Sequence, residues 1–123
     1  MLEAPNFVYV GTVRKDGTTH VVPTSIHVNE HLVELNTAEG RAWPSNARRD
    51  GRVTLTVPDK DNPYEYLEIR GTIVEDTHEG ADEHVDFLAK KYLGQDTYPF
   101  RTPDEERVIL RVQPEKIYYS NPG

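Results

Sequence analysis

Four arginines, Arg41, Arg48, Arg49 and Arg52, stand close together on a chain whose formal net charge is −7. The stretch that carries them opens Gly40-Arg41-Ala42-Trp43-Pro44-Ser45-Asn46 and ends Arg52-Val53-Thr54-Leu55-Thr56-Val57. It reads as a strand end, a tight turn, one short helix and a new strand. A helix opening is an anion site, because its first N–H groups have no partner in the helix and the dipole is positive there. Arg41 stands at that opening and Asn46 within the helix. Together they suit a phosphate held from one side while a flat ring lies on the neighbouring sheet. The competing reading of the arginines is a solvated helix face paired with Glu39 and Asp50, worth little in stability. Trp43, the only tryptophan, either packs the helix onto the sheet or walls the ligand pocket, where its face would suit offset stacking.

The other reactive side chains form no motif. There is no cysteine, so disulfides, zinc knuckles and a thiol nucleophile are excluded. His20 and His27 fall on opposite faces of one expected strand, and His27 and His31 flank a hairpin turn. No spacing matches a metal motif, and no metal is expected. His78 and His84 are expected in solvent on an acidic helix. Ser25 and Ser45 lack the Gly-x-Ser-x-Gly context of a nucleophile elbow, and neither a Rossmann nor a P-loop glycine pattern is present. Glu65 and Glu68 face opposite ways on a strand and make no carboxylate pair. What remains is chemistry that a cofactor carries, with the protein supplying position, electrostatics and water exclusion. No residue is assigned a catalytic role; Tyr64, Tyr66 and His20 are the candidates for handing a proton to a reduced product.

The elements that position these residues are mostly strands. Phe7 to Arg14 is rich in Val, Tyr and Thr, and Lys15-Asp16-Gly17 is a turn. Thr18 to Val28 resumes as a strand, broken or bent near Pro23. After Asn29-Glu30, His31 to Thr37 is a third strand, and the three read as an antiparallel meander. The helix spans Ala42 to Asp50, with Pro44 in its first turn and Gly51 at its end. Arg52 to Val57 alternates apolar and polar. Tyr64 to Glu75 is a long strand, and Gly71 suggests bending, as in a closing barrel. Thr77 marks the N-cap region of a second helix, Glu79 to Leu93, with Val85, Leu88, Ala89, Tyr92 and Leu93 on one stripe and Gly94 closing it. Gln95 to Asp104 is a loop, Arg107 to Val112 a final strand, and Pro114 to Gly123 an irregular tail. About six strands with only two helices favour a small, mainly β, antiparallel barrel with helices packed outside.

The 123 residues fit one domain, 1–123, which at this size buries roughly two-thirds of its unfolded surface. That leaves little room to enclose a large cofactor, so a site between two subunits is expected. The acidic balance argues against a nucleic-acid partner. No run of about 18 apolar residues exists, so no membrane span is expected, and the N-terminus lacks the pattern of a signal peptide. A cytoplasmic location follows as the expectation.

The order of these elements resembles a known family. NTAEGRAWPSNARRDGRVTLTV, then DNPYEYLEIRG, then an acidic helix ending KKYLG, is similar to the pyridoxamine 5′-phosphate oxidase-like split-barrel superfamily. Within it the chain resembles the actinobacterial branch of deazaflavin-dependent reductases, and the likeness runs from about Phe7 to Ile117. The resemblance implies a six-stranded antiparallel split β-barrel homodimer, an FMN-binding split barrel with flanking helices, whose cofactor lies in a groove at the subunit interface. It implies hydride transfer between reduced coenzyme F420 and an unsaturated or quinone-like small molecule. Related branches use FMN, and some bind haem or serve as non-catalytic carriers. Residue by residue, it places Arg41 and Asn46 on the cofactor phosphate, beside Ala42 at the helix opening. Thr37 and Ala38 supply backbone contacts at the strand end. His20, Val22, Pro23, Thr24 and Ser25 run along the ring, and Tyr64 and Tyr66 come from the partner subunit. Many relatives carry lysine at the position of Trp43 and arginine at that of Ser45.

Overall fold

The computed structural model describes residues 1–121 and contains seven strands and two helices among them. The strands are β1 (Val8–Val13), β2 (Thr19–Thr24), β3 (Ile26–Asn29), β4 (Leu32–Ala38), β5 (Arg52–Pro58), β6 (Tyr66–Thr77) and β7 (Arg107–Ser120). The helices are α1 (Ala42–Asp50) between β4 and β5, and α2 (Ala81–Leu93) between β6 and β7. All strand pairs are antiparallel, in the spatial order β2-β1-β5-β6-β7-β4-β3. The two edge strands, β2 and β3, are consecutive in the chain and joined through Ser25. The sheet therefore curls on itself into a split barrel, as the residue pattern implies.

Alternation fills the barrel. Val8, Val10, Val53, Leu55, Val57, Ile69, Val108, Leu110 and Val112 point inward, and Trp43 and Ala47 of α1 plug one end. A strand has a side-chain period of two, so a strand with solvent on one face shows alternating burial; β5 does so cleanly. β4 does not: every residue from Val33 to Ala38 is buried. Its second face lies under α2, which reaches it through hydrogen bonds from Asn36 to Ala81 and His84. α2 is also tied down at its far end. Lys91 Nζ donates to the carbonyls of Leu2 and Ile26, each at 2.7 Å. The Tyr92 hydroxyl donates to Asn6 O at 2.6 Å and accepts from Ile26 N at 3.1 Å.

Four sequence-based expectations are corrected. The strand expected over Thr18 to Val28 is two strands, so the count is seven rather than six, and the meander is two separate hairpins: β2 pairs with β1 and β3 with β4. Pro23 is compatible with an edge strand, where its missing N–H breaks no central ladder. The expected irregular tail is strand as far as Ser120, paired with β6; Pro122 and Gly123 lie outside the described residues. The register shifts between Arg70 and Gly71, opposite Pro114, which lets the proline into the strand at a bulge. The second helix starts at Ala81 with Gly80 as its N-cap, at φ 74°, while the Thr77 hydroxyl accepts from Glu79 N one turn earlier. Finally, His84 is buried rather than solvated. No helix among the described residues is long and apolar enough to cross a membrane.

Candidate functional site

The turn between β4 and α1 is built from local rules. Gly40 takes φ 89°, a conformation that costs glycine nothing, and reverses the chain out of β4. Arg41 is the N-cap residue, in extended conformation, and its side chain does not cap the helix. Pro44 lies in the first turn, where its missing N–H removes no helical bond. The first turn carries no acidic residue, so nothing on α1 itself offsets the positive end of its dipole. Gly51, at φ 76°, closes the helix with its N–H on Ala47 O.

The four arginines separate into different roles. Arg48 bridges Glu39 at 2.6 Å and Asp76 at 2.7 Å; its hydrogen bonds to Asp76 and then Glu39 raise its pKa further. Arg49 donates to Val13 O at 3.0 Å and to Asn46 Oδ1 at 2.7 Å. Arg52 pairs with Asp50 at 3.0 Å in solvent. Arg41 has no ion-pair or hydrogen-bond partner among the described residues, and it lines a groove walled by α2 and the segment 95–106.

That groove has a volume of about 590 Å³, within the range of small-molecule sites. Pro23, Thr24 and Ser25, at the break between β2 and β3, form part of its floor together with Asn36. Val85, Leu88, Ala89 and Tyr92 of α2 form one wall. Tyr98 and Phe100, from the segment 95–106, form another, their rings edge to face with centroids 5.7 Å apart. Phe7 and Tyr9 stand at the rim, about half exposed. Two guanidinium groups reach it: Arg41 from the α1 turn and Arg107 from the start of β7. An apolar trough with flat aromatic sides and a free cation at one end can take a planar ring bearing an anionic group.

Beneath the groove runs a buried polar chain. Asn36 Oδ1 accepts from Arg107 Nε at 2.8 Å, and its Nδ2 donates to Ala81 O and to His84 Nδ1, both at 2.9 Å. The reverse orientation of the amide would set donor against donor at Arg107 and acceptor against acceptor at Ala81, so the network fixes it. His84 Nδ1 is therefore the acceptor and the ring proton is on Nε2, 3.3 Å from Glu34 Oε1. Glu34 receives Arg111 Nε at 2.7 Å, and Arg111 also reaches Glu75 at 2.6 Å. Burial pushes the His84 imidazole down, and the charge of Glu34 offsets this only in part. Burial would raise Glu34, but the Arg111 hydrogen bond and the charges of His84 and Arg111 outweigh it and hold the carboxyl low. At the other end of the chain, Arg107 meets Glu105 at 2.5 Å and lies under the Tyr98 ring, 5.1 Å from its centroid.

Of the residues the sequence singles out, Pro23, Thr24, Ser25 and Arg41 come together in the groove. His20 is half-buried on β2 opposite Thr12, and its Nδ1 has no hydrogen-bond partner among the described residues. Val22 packs against the core. Thr37 and Ala38 are buried at the end of β4, the Thr37 hydroxyl unpartnered among the described residues. Ala42 is exposed. Trp43 belongs to the core cluster, so of its two readings the packing one describes its side chain. Asn46 is buried and committed to Thr12 and Arg49. Tyr64 is exposed, and Tyr66 packs on Tyr118; neither lines the groove of its own chain. Sequence reasoning passed over Asn36, Tyr92, Tyr98, Phe100 and Arg107. For Asn36 and Arg107 the available signal was a polar residue within an otherwise apolar strand, which calls for a buried partner.

A family model described as pyridoxamine 5′-phosphate oxidase matches residues 1–121. Among solved structures, an F420 reductase superposes with a TM-score of 0.82 at 28% identity, over 95% of this chain and 92% of that one. HupZ from Group A Streptococcus gives 0.71 at 16% identity, over 99% and 94%. General Stress Protein 26 from Bacillus anthracis gives 0.67 at 18%, over 96% and 86%. The last two likenesses are of fold alone. No curated protein matches the chain.

Proposed function

The chain belongs to the pyridoxamine 5′-phosphate oxidase family, and from that premise we propose that it is an oxidoreductase taking a flavin-type cofactor, coenzyme F420 first, with FMN as the alternative. The observation that carries this reading is Arg41, without a partner among the described residues, at the positive end of α1 and opening onto an aromatic-walled groove. The likeness to an F420 reductase over nearly the whole of both chains favours the deazaflavin over FMN.

The residues present fit such a group. Arg41 and the free N–H groups of the first α1 turn would hold its phosphate. Pro23, Thr24 and Ser25 would lie along the ring, and Val85, Leu88 and Tyr92 would keep water from its face. A reduced deazaflavin supplies a hydride when bound. The protein orients that face, excludes water and leaves the open rim at Phe7, Tyr9 and Phe100 for a small unsaturated or quinone-like acceptor. In this reading Tyr64 and Tyr66 reach the site only from a second copy of the chain, so the working unit is a homodimer.

Titration of the purified protein with F420 and, in parallel, with FMN tests the proposal, read by calorimetry and by quenching of Trp43 emission. Micromolar or tighter binding of F420 with weak FMN binding supports the deazaflavin reading, and turnover with a quinone acceptor completes it. The reverse preference moves the chain to FMN. Binding without turnover on any acceptor makes it a carrier, and binding of neither cofactor refutes the proposal.

A further inference from the structure

The segment 95–106 supplies the Tyr98 and Phe100 wall of the groove. Glu39 N donates to Glu106 O at 2.9 Å and Lys90 pairs with Asp96 at 3.2 Å, fastening its two ends, and two further fastenings hold the Tyr98 wall between them. Asp86 Oδ1 on α2 accepts from Tyr98 N at 2.9 Å and from Arg101 Nη2 at 2.7 Å. The second fastening is Arg107, which holds Glu105 and stacks under Tyr98 on the segment side while donating to Asn36 on β4. At the β4 end of that tie Asn36 presents its oxygen to Arg107, while its amide nitrogen donates to Ala81 O and to His84 Nδ1.

We propose that His84 is a protonation-controlled latch on the groove wall: neutral, it holds Asn36 with Oδ1 toward Arg107; protonated, it turns the amide around and releases the Arg107 guanidinium, with the Tyr98 ring stacked on it, from Asn36.

The argument is one of donors and acceptors. Protonation puts an N–H on Nδ1, facing the Asn36 Nδ2 hydrogens across 2.9 Å. Two donors cannot share that contact. Reversal of the amide gives the imidazolium an acceptor, but it then sets Nδ2 against Arg107 Nε–H and Oδ1 against Ala81 O. Arg107 keeps Glu105 and Tyr98, both in the segment, so its guanidinium no longer ties the Tyr98 wall to Asn36, while the bond from Glu39 N to Glu106 O and the pairing of Arg107 with Ala38 stay in place. The imidazolium keeps an ion pair with Glu34, whose Oε1 lies 3.3 Å from Nε2, although Nε2 makes no hydrogen bond among the described residues. The charged and titratable groups around the ring are Glu34 on β4, Arg111 on β7 and His27 on β3. Glu34 favours the proton, Arg111 and His27 oppose it, and burial opposes it most, so the imidazole is held below its ordinary 6.5 and the latch opens only on the acid side of that value. The inference stands on the side-chain network alone and holds whichever cofactor the groove takes.

The experiment uses the ¹⁵N-labelled protein without ligand, titrated from about pH 8 to about pH 5 across the ordinary range of histidine. At the alkaline end His84 should carry its proton on Nε2 only. As His84 titrates, the Arg107 Nε–H and Tyr98 amide resonances should shift with the same midpoint. His84→Asn places a non-titrating Oδ1 where Nδ1 stood and should hold both resonances fixed across the range. The proposal is overturned if His84 titrates while Arg107 and Tyr98 stay still. It is equally overturned by a proton on Nδ1 at the alkaline end, by a His84 that does not titrate, or by the same shifts in folded His84→Asn. Should that variant fail to fold, the co-titration in the wild-type chain decides alone.

Discussion

Arg41 and Arg48 lie on the same turn-and-helix unit and have opposite fates. Arg48 is bound by two carboxylates, Glu39 and Asp76, whereas Arg41 has no partner among the described residues and opens on the groove. A charge-assisted contact to a phosphate is worth more than an exposed ion pair. Arg41→Ala is therefore expected to weaken cofactor binding by about 1.5–3 kcal/mol, while Arg48→Ala leaves the affinity unchanged. Calorimetric titration of both variants with F420 and FMN checks this, and equal affinities in wild type and Arg41→Ala would remove Arg41 from the site. Arg41 was legible in the sequence because a helix opening is announced by its neighbours: Gly40, Pro44 and Gly51 all bear on one local element. Asn36, His84 and Arg107 were not. Their meeting joins residues 48 and 71 positions apart, and His84 on an acidic helix looks solvated until α2 is known to lie on β4.

At the scale of elements, the pairing of β6 with β7 bends the sheet, and Gly71 is where it does so. A Cβ at Gly71 would stand 2.5 Å from Gln113 O and 2.6 Å from Val112 Cγ1, closer than backbone and core atoms allow. The neighbours are a paired strand and a fully buried valine, so neither can yield cheaply. Gly71→Ala should destabilise the fold by about 1–3 kcal/mol, the cost of overpacking, seen as a lower urea midpoint with little change in slope. A midpoint equal to wild type would mean that β7 slides to make room. The bend was legible from a glycine in a long strand. The continuation of β7 past Pro114 was not, because a proline normally argues against a paired strand and only the register shift opposite Gly71 admits it. Likewise Pro23 announced a break near Ser25, but no local signal says that the chain changes pairing partner there, leaving the hairpin with β1 and opening a second one with β4.

For the whole molecule, the buried chain through Glu34 and His84 makes stability depend on pH in one direction. Both groups have folded pKa values below their ordinary ones of 4.5 and 6.5, so the unfolded chain binds more protons as acid is added, and stability falls with pH. The His84 contribution is complete above 6.5 and is lost as pH drops through its lower folded value; that of Glu34 follows below 4.5. Melting temperatures measured from neutral to acid pH should fall in that order, and His84→Asn should remove only the first decline. The same scale decides who completes the groove. Tyr64 is 74% exposed and does not line its own chain's groove, while Phe7, Val21, Tyr118 and Tyr119 leave apolar surface open on the barrel. A two-fold pairing uses the same patch on both copies and would bring Tyr64 of each chain to the groove of the other. Mixed dimers separate this from a site contained in one chain. Arg41→Ala and Tyr64→Ala are each expected to bind F420 weakly as pure preparations. After unfolding and refolding an equal mixture, half the dimers are hybrids, and each hybrid holds one site with both residues intact. About a quarter of all sites should then bind with wild-type affinity. If Arg41 and Tyr64 act within one chain, every site in the mixture keeps one defect, and no wild-type binding returns.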